Sequence, residues 1–423
     1  MSIAYDVVGI GIGPFNLGLA CLLDEKKSLK KIFFDKKVEF NWHEGIMPKG
    51  STLQIPFIAD LVTLADPTNR FSFLNYLKQE GRLHRFYIYE NFYIAREEYN
   101  RYCKWVAHQQ ADLRFNKKVE LLNYDRKERL YRLEVLDQVK QTLELYSARN
   151  LVIGTGRTPI KPEFYRSDEK THCLVSEYSY RKDELRSYPV ITVVGSGQSG
   201  AEVFFDLLQG LREASYKLHW IGRSSNFFAM DLNKLALEVT TPDYGRFFYG
   251  LPKSTRNVLL RQQDSLYKGV NRKLLNAIYD YLFENQDVCS DRVVIYPGIE
   301  VFDCQKNNCM WQVFARSMLS GKTLQFDTSA IIMALGYEYV EPVFLRGLGE
   351  IINRNEDGEI LVSENYSIDK EETIFVQNVG LKQHGIVTPD LSMGPYRNSS
   401  IANQLLGSEY YSPNTQVAYQ QFL

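Results

Sequence analysis

The glycine-rich stretch GIGIGPFN, residues 9–16, is the first part of the chain whose residue types suggest chemistry. It follows an apolar run, residues 4–10, that is typical of a buried parallel strand, and it precedes a helical pattern. A second apolar run ends at Asp35. In such a unit the glycines let the backbone approach a pyrophosphate, and the acid accepts hydrogen bonds from a ribose hydroxyl. Counted from Gly9, the sixth position of the motif is Pro14, which the first turn of a helix tolerates.

The same pattern recurs at residues 195–200, GSGQSG, after the strand pattern of residues 190–194. The next apolar run ends in Arg223 and Ser224 instead of an acid. An acid at this position holds the free 2′-hydroxyl of NAD, whereas an arginine with hydroxyl neighbours suits the 2′-phosphate of NADP. We therefore predict an NADPH site with Arg223 on the phosphate. An exposed surface arginine without a ligand is the alternative.

Two dinucleotide sites in one chain most economically indicate FAD at the first and NADPH at the second, so that NADPH reduces the flavin. What the flavin then reduces depends on whether a thiol pair lies beside it. Cys304 and Cys309 have a C-x4-C spacing, but the polar residues between them predict the turn of a β-hairpin. A disulfide reductase is therefore an alternative, as is a nucleotide-binding sensor without turnover. Molecular oxygen is the remaining common acceptor, which predicts a flavin-dependent monooxygenase.

The composition is typical of a globular enzyme. The 423 residues carry a formal net charge of −1, with 44% hydrophobic and 24% charged residues, so neither disorder nor nucleic-acid binding is predicted. No apolar run is long enough for a membrane span, and the N-terminus lacks the basic region of a signal peptide. Six cysteines without a framework spacing predict a cytoplasmic protein, and six scattered histidines predict no metal site.

The strand and helix patterns around these residues predict an α/β fold with two Rossmann-like dinucleotide-binding domains, one for FAD and one for NADPH. Two further apolar runs reach glycines, within residues 150–156 and 330–337, where we expect the chain to leave the first domain and to return to it. The predicted domains are residues 1–162 with 324–423 for FAD, and residues 163–323 for NADPH. Helical spacing within residues 232–290 predicts an insertion that walls a substrate pocket.

The sequence resembles the flavoprotein N-monooxygenases that hydroxylate lysine, ornithine or diamines for hydroxamate siderophores. The similarity covers essentially the whole chain and rests on residues 9–20, 34–77, 195–204, 334–337 and 384–392. The family's usual A-T-G-Y is here ALGY, with leucine in place of threonine. The resemblance implies that FAD, reduced by NADPH, takes up O2 as a C4a-hydroperoxide and transfers one oxygen atom to a primary amine. It also implies a homo-oligomer, a tetramer or a dimer.

Carried over position by position, the resemblance implies a set of site residues. Gln54, against the flavin, and Ser392, which closes the flavin and substrate pocket, are the implied catalytic residues. The residues that would bind FAD are Gly9, Gly11, Gly13, Pro14, Asn16, Asp35, Trp42, His43 and Met47. The residues that would bind NADPH are Gly195, Gly197, Gln198, Ser199, Gly200, Arg223 and Ser224. Ordinary core packing is the alternative for Trp42 and Met47.

The substrate is predicted from three positions at which this chain has an apolar residue and the amino-acid hydroxylases have a polar one. Ala59 stands where the amino-acid hydroxylases have a lysine that pairs with the substrate carboxylate, and Leu237 and Leu266 stand where the ornithine enzymes have asparagines. A buried carboxylate without a partner costs several kcal/mol, so a diamine such as putrescine or cadaverine is predicted. Lysine or ornithine is the alternative. Glu238 and Asp390 are candidates for holding the distal ammonium, with surface or capping roles as the alternative.

Overall fold

The computed structural model describes residues 4–231, 233–412 and 416–423. The strands are β1 (Ala4–Ile10), β2 (Lys31–Phe34), β3 (Leu113–Arg114), β4 (Lys117–Asp125), β5 (Leu130–Asp137), β6 (Thr142–Ile153), β7 (Thr158–Pro159), β8 (His172–Leu174), β9 (Val190–Val194), β10 (Lys217–Gly222), β11 (Val293–Pro297), β12 (Ile299–Asn307), β13 (Met310–Ser317), β14 (Thr323–Thr328), β15 (Ala330–Met333), β16 (Tyr337–Glu338) and β17 (Ile374–Val376).

The helices are α1 (Pro14–Leu22), α2 (Phe73–Gln79), α3 (Leu83–Tyr89), α4 (Arg96–Gln109), α5 (Tyr178–Leu185), α6 (Gln198–Gln209), α7 (Pro242–Gly250), α8 (Lys253–Gln262), α9 (Asp264–Tyr267), α10 (Arg272–Glu284), α11 (Gln286–Cys289), α12 (Leu381–His384) and α13 (Gly394–Leu406). Short 3₁₀ helices cover Val175–Glu177, Ala236–Thr240, Val343–Leu348, Gly385–Val387 and Leu391–Met393. Among the described residues, no helix is long and apolar enough to cross a membrane.

The first sheet joins a parallel part, which carries the first glycine loop, to an antiparallel meander. Its strand order is β3-β2-β1-β6-β5-β4, and β17 also pairs with β6. β1 runs parallel to both β2 and β6. Val7 faces the core formed with α1, α4 and α13, whereas Val8 faces the core formed with the meander. Burial on both faces explains the continuous apolar run of β1.

The second sheet carries the second glycine loop and has the order β11-β10-β9-β15-β8. All of its pairings are parallel. The structure confirms the α/β class with two Rossmann-type units. It corrects the predicted boundary at residue 324, because β15 lies inside this sheet, with Ile332 beside Val193. The chain therefore returns to the first domain only after β15.

The segments that leave and re-enter the first domain run side by side. β7 and β16 pair antiparallel, with Tyr337 opposite Pro159. The predicted insertion is largely helical, as expected, but its parts have different roles. Ile278 of α10 belongs to the core of the second sheet, so α10 lies in the crossover from β10 to β11. The earlier part, Ala236–Thr240 with α7 and α8, packs against the 3₁₀ helix Gly385–Val387.

The predicted hairpin between the two late cysteines is confirmed. β12 and β13 pair antiparallel, and Asn308 has φ +56° in the turn. Cys304 is buried and Cys309 is exposed. Burial raises the pKa of the Cys304 thiol to about 12, so this thiol stays protonated and unreactive. The described residues hold no group of three or more metal-ligating side chains.

Candidate active site

The first glycine loop leaves β1 and enters α1 at the carboxyl edge of the first sheet. Gly11 has φ +89°, and a Cβ there would overlap the carbonyl oxygen of Gly154, so only glycine fits. Gly13 caps α1, and the space into which its Cβ would point is open. The helix has neither a side-chain cap nor an acid in its first turn. Its free N–H groups therefore form a cradle that fits a pyrophosphate.

The register of the first motif differs from the predicted one by two residues. Gly9 lies inside β1, where a Cβ would overlap the ring of Phe33, so this glycine serves strand packing. Asn16 takes the place of the third glycine, because its Nδ2 donates to the carbonyl of Gly11 (2.8 Å). Pro14 is the first residue of α1. The prediction that counted from Gly9 is therefore wrong, and the motif is G-x-G-x-x-N from Gly11.

The second glycine loop repeats this geometry between β9 and α6. Gly195 has φ +138°, and a Cβ there would overlap the carbonyl oxygen of Ala334, just after β15. Gly197 caps α6 and faces open space, and α6 also lacks a side-chain cap and an acid in its first turn. A Cβ at Gly200 would overlap the carbonyl oxygen of Gly195, and Ser199 is the second residue of α6. The two loops thus present equivalent cradles.

The end of the second strand contacts the glycine loop in both units, as the motifs predict. Asp35 Oδ2 accepts a hydrogen bond from the main-chain N of Ile12 (2.7 Å). The hydroxyl oxygens of Ser224 and Ser196 lie 3.1 Å apart. The side chain of Arg223 is 75% exposed. Its guanidinium is therefore accessible to a phosphate beside the second loop.

Replacing Arg223 with Ala should raise KM for NADPH by about tenfold, because the cation no longer meets the 2′-phosphate. KM for NADH should change little. The present partner of Arg223 is Glu300 at 3.7 Å, an exposed pair that contributes little. Arg316→Ala is the control, because it removes the other cation at Glu300 (2.9 Å) and leaves the end of β10 intact. Steady-state kinetics with both coenzymes measure the two KM values. Equal increases in KM for NADPH and for NADH would contradict the assignment of Arg223 to the 2′-phosphate.

The segment with Trp42, His43 and Met47 reaches from the first domain to the second. The main-chain N of Met47 donates to Ser179 Oγ (3.1 Å) of α5. The rings of Trp42 and His43 meet edge to face at 4.6 Å. The His43 ring lies 6.1 Å from the ring of Tyr337. The structure thus brings the predicted flavin-lining segment to the tyrosine of the ALGY motif.

A chain of hydrogen bonds connects Gln54 to the second glycine loop. Asn271 Nδ2 donates to Gln54 Oε1 (2.9 Å), and the main-chain N of Asn271 donates to Gln198 Oε1 (2.7 Å). Gln198 Nε2 donates to Glu202 (2.7 Å). The carboxylate of Glu202 also accepts hydrogen bonds from both terminal nitrogens of Arg96, at 2.7 and 2.9 Å. We call these five residues the cleft network.

The cleft network is partly buried and contains three residues that sequence reasoning missed. The side chains of Arg96 and Glu202 are 13% and 4% exposed. Burial raises the pKa of Glu202, and the charge of Arg96 opposes this shift. Of these three residues, Asn271 alone had a local signal, because it precedes an apolar helical pattern as an N-cap does. Its side chain indeed accepts from the main-chain N of Lys273 (2.9 Å).

Ser392 and Asp390 form one unit beside the last helix. Ser392 Oγ donates to Asp390 Oδ1 (2.7 Å), and the same oxygen accepts the main-chain N of Ser392 (2.8 Å). Asp390 is thus a cap of the 3₁₀ helix Leu391–Met393, which was the alternative role. Its Oδ2 receives no hydrogen bond from the described residues. Burial raises the pKa of Asp390, while the bonds from Ser392 lower it.

Glu238 bonds to the C-terminal segment. Its Oε1 and Oε2 accept the main-chain N atoms of Tyr419 and Gln420, each at 2.9 Å. Both carboxylate oxygens are therefore engaged by the C-terminal segment. These bonds favour the capping role that was the alternative for Glu238, and they leave Asp390 as the stronger candidate for the distal ammonium.

The predicted substrate positions lie on segments that contact one another. Ala59 is buried, with 3% of its surface exposed, five residues after the Gln54 that bonds to Asn271. Leu266 precedes Asn271 on the same segment, and Gln263 of this segment donates to the hydroxyl of Tyr244 in α7. The 3₁₀ helix that contains Leu237 packs against Gly385–Val387. These contacts join the segments that carry the three predicted substrate positions into one connected group.

Buried polar atoms without partners lie at the carboxyl edge of the first sheet. Asn16 Oδ1, Gln377 Oε1 and Asn378 Oδ1 have no hydrogen-bond partner among the described residues. Gln377 and Asn378 directly follow β17 and were not predicted. Unsatisfied buried polar atoms cost free energy, and open α/β sheets bind ligands at this edge. A polar ligand such as a dinucleotide therefore fits here.

Known proteins resemble this chain over nearly its whole length. The sequence model of the L-lysine 6-monooxygenase/L-ornithine 5-monooxygenase family matches residues 3–339. A putrescine N-hydroxylase of Acinetobacter baumannii is 44% identical over 420 residues, which are 99% of this chain and 93% of that protein. One of Shewanella oneidensis is 41% identical over 418 residues, 99% of this chain and 84% of that protein. The FAD-bound cadaverine monooxygenase of the desferrioxamine pathway from Erwinia amylovora matches with a TM-score of 0.96 and 40% identity, over 99% of this chain and 98% of that one.

Proposed function

The chain belongs to the L-lysine 6-monooxygenase/L-ornithine 5-monooxygenase family, and from this membership we propose that it N-hydroxylates an aliphatic diamine, putrescine or cadaverine. The reaction uses FAD, NADPH and O2, and its product serves the biosynthesis of a hydroxamate siderophore. The observation that carries the proposal is buried Ala59, which stands where the amino-acid hydroxylases bind the substrate carboxylate. The relatives named for putrescine and cadaverine support the same substrate class.

FAD belongs in the first cradle and NADPH in the second. The free N–H groups of α1, capped by Gly13, fit the FAD pyrophosphate, and those of α6, capped by Gly197, fit that of NADPH. FAD reduced by NADPH supplies the activated oxygen. The protein must hold the amine in its neutral form and exclude water from the cleft. The cleft network, which joins Gln54 to the second loop, holds the surfaces of the two cofactor sites together.

The pocket side with Ala59 suits a substrate without a carboxylate. Ala59 has no charge to offer, and Leu237 and Leu266 add apolar surface. Lys268, the cation closest to Leu266 in sequence, already pairs with Asp264 (2.8 Å). A diamine instead presents a distal ammonium, for which Asp390 Oδ2 is the proposed acceptor.

Hydroxylamine formation from putrescine, cadaverine, lysine and ornithine tests the function. An unpaired buried carboxylate costs about 3 kcal/mol, so kcat/KM for the diamines should exceed that for the amino acids by more than about 100-fold. Ala59→Lys should lower activity on the diamine, because it places a cation near the distal ammonium. Ala59→Leu, which adds bulk without charge, is the control. Equal efficiency of wild-type protein on lysine or ornithine and on the diamines would refute the diamine assignment.

Assembly and compartment are proposed as well. All six cysteines are free, which supports a reducing compartment such as the cytoplasm.

Tyr87 and Ile88 of α3 are 75% and 74% exposed, close to Phe92, which is 59% exposed. Such an apolar patch supports a homo-oligomer, a tetramer or a dimer, that buries it. Sedimentation equilibrium measures the oligomeric state, and a monomer at all concentrations would contradict the proposed homo-oligomer.

A further inference from the structure

A short segment near the C-terminus is hydrogen-bonded to the wall formed by Ala236–Thr240 and α7. We call residues 416–422 the strap. Five of its consecutive main-chain N–H groups donate to only two carboxylates. Gln416, Val417 and Ala418 donate to Asp243 at 2.8, 2.7 and 3.0 Å, and Tyr419 and Gln420 donate to Glu238 at 2.9 Å each.

The strap has further anchors on the same part of the chain. The ring of Phe422 lies 5.1 Å from that of Tyr244 and 5.9 Å from that of Phe247. Gln420 Nε2 donates to the carbonyl of Leu235 (2.7 Å). The side chain of Tyr419, in contrast, is almost fully exposed. The strap is thus held by hydrogen bonds and one aromatic anchor, and such an element opens more easily than a packed core.

The two carboxylates belong to the wall that carries a predicted substrate position. Glu238 follows Leu237 in the 3₁₀ helix Ala236–Thr240, and Asp243 lies in the first turn of α7. A Cβ at Gly245 of α7 would lie 3.6 Å from Val387, three residues before Asp390. One side of this wall therefore bears the strap, and another packs against the segment that leads to the proposed ammonium acceptor.

We propose that the strap fixes the wall formed by Ala236–Thr240 and α7, and so sets the affinity for the amine, with Glu238 and Asp243 as positioning residues. The inference rests on the proposed function for the identity of the amine. Its physical basis is that each carboxylate bonds the two chain segments together through several charge-assisted hydrogen bonds. When these bonds are lost, the short helix with Leu237 is no longer held against the cleft.

Two matched proline variants test the strap. Tyr419→Pro removes one N–H that Glu238 accepts, whereas Gln421→Pro inserts proline two residues later, where neither carboxylate is bonded. Tyr419→Pro, and deletion of residues 416–423, should raise KM for the diamine by about tenfold and change kcat and KM for NADPH by less than about twofold. Gln421→Pro should resemble the wild type. An unchanged KM for the diamine in the deletion variant would overturn the inference.

Hydrogen exchange gives a second readout that does not depend on turnover. Amides of residues 236–250 should exchange faster in Tyr419→Pro than in Gln421→Pro, while those of α13 should not differ. Equal exchange in the two variants would also overturn the inference. Wild-type protein that hydroxylates no amine would refute the proposed function alone, because the exchange comparison still shows whether the strap holds the wall.

Discussion

Replacing Glu202 with Ala is expected to separate NADPH oxidation from amine hydroxylation, so that most electrons end in hydrogen peroxide. The change removes the acceptor of both Arg96 and Gln198. Gln198 then no longer holds Asn271, whose side chain positions Gln54. Because the Arg96 guanidinium is left nearly buried and unpaired, the free energy of unfolding should also fall by about 3 kcal/mol.

A second carboxylate on the same helix provides the control. Asp206 of α6 accepts from Lys182 (2.8 Å) and from the hydroxyl of Tyr178 (2.5 Å), away from the cleft network. Asp206→Ala should lower the melting temperature comparably and leave the ratio of hydroxylamine formed to NADPH consumed unchanged. Glu202→Gln keeps one acceptor oxygen, so its ratio of hydroxylamine formed to NADPH consumed should lie between those of the wild type and Glu202→Ala. If Glu202→Ala loses stability but keeps full coupling, the network has only a structural role.

Valine at the two capping glycines should give opposite phenotypes. Gly13→Val should yield folded protein without yellow colour, and Gly197→Val should yield yellow protein that NADPH reduces about 100-fold more slowly. Both glycines have an ordinary φ, −89° and −91°, and face open space, so the chain tolerates a side chain. That side chain occupies the volume that the pyrophosphate needs. Visible absorption, circular dichroism and stopped-flow reduction measure the outcome.

Gly11→Val is the contrasting variant. Gly11 has φ +89° and lies against the carbonyl of Gly154, so its position excludes a side chain whether or not a cofactor is bound. We expect this variant to be destabilised in circular dichroism and thermal melting, unlike Gly13→Val. If Gly13→Val is yellow and Gly197→Val is colourless, FAD and NADPH occupy the opposite domains.

Elements with a local signal were predicted closely. The strand expected at residues 4–10 is β1 (Ala4–Ile10), and the strand expected at residues 190–194 is β9 (Val190–Val194). Both are continuous apolar runs that end at a glycine turn, and that combination occurs in few other local structures. The hairpin around Asn308 was also predictable, because polar residues separate two alternating strands.

Predictions failed where a local pattern fits two places. GIGIG contains two overlapping G-x-G motifs, and only the end of β1 and the contact with Gly154 show that the turn begins at Gly11. A buried parallel strand has the same pattern in either sheet, so the residues of β15 do not show that they pair with β9. The partners of Glu238 lie about 180 residues away, in the strap, and no local pattern indicates them.

Local sequence patterns were enough to predict two dinucleotide cradles, an acid after β2, an arginine after β10, and an alanine where a carboxylate-binding lysine is usual. These features are local, because a glycine turn or a strand end is defined by a few consecutive residues. The three-dimensional packing was needed to show that one network joins Arg96, Glu202, Gln198, Asn271 and Gln54, and that Asp243 and Glu238 hold the strap. Gln54 and Asn271 are 217 residues apart. Such contacts arise from the packing of two sheets and their connecting helices, and no short-range periodicity in the sequence encodes them.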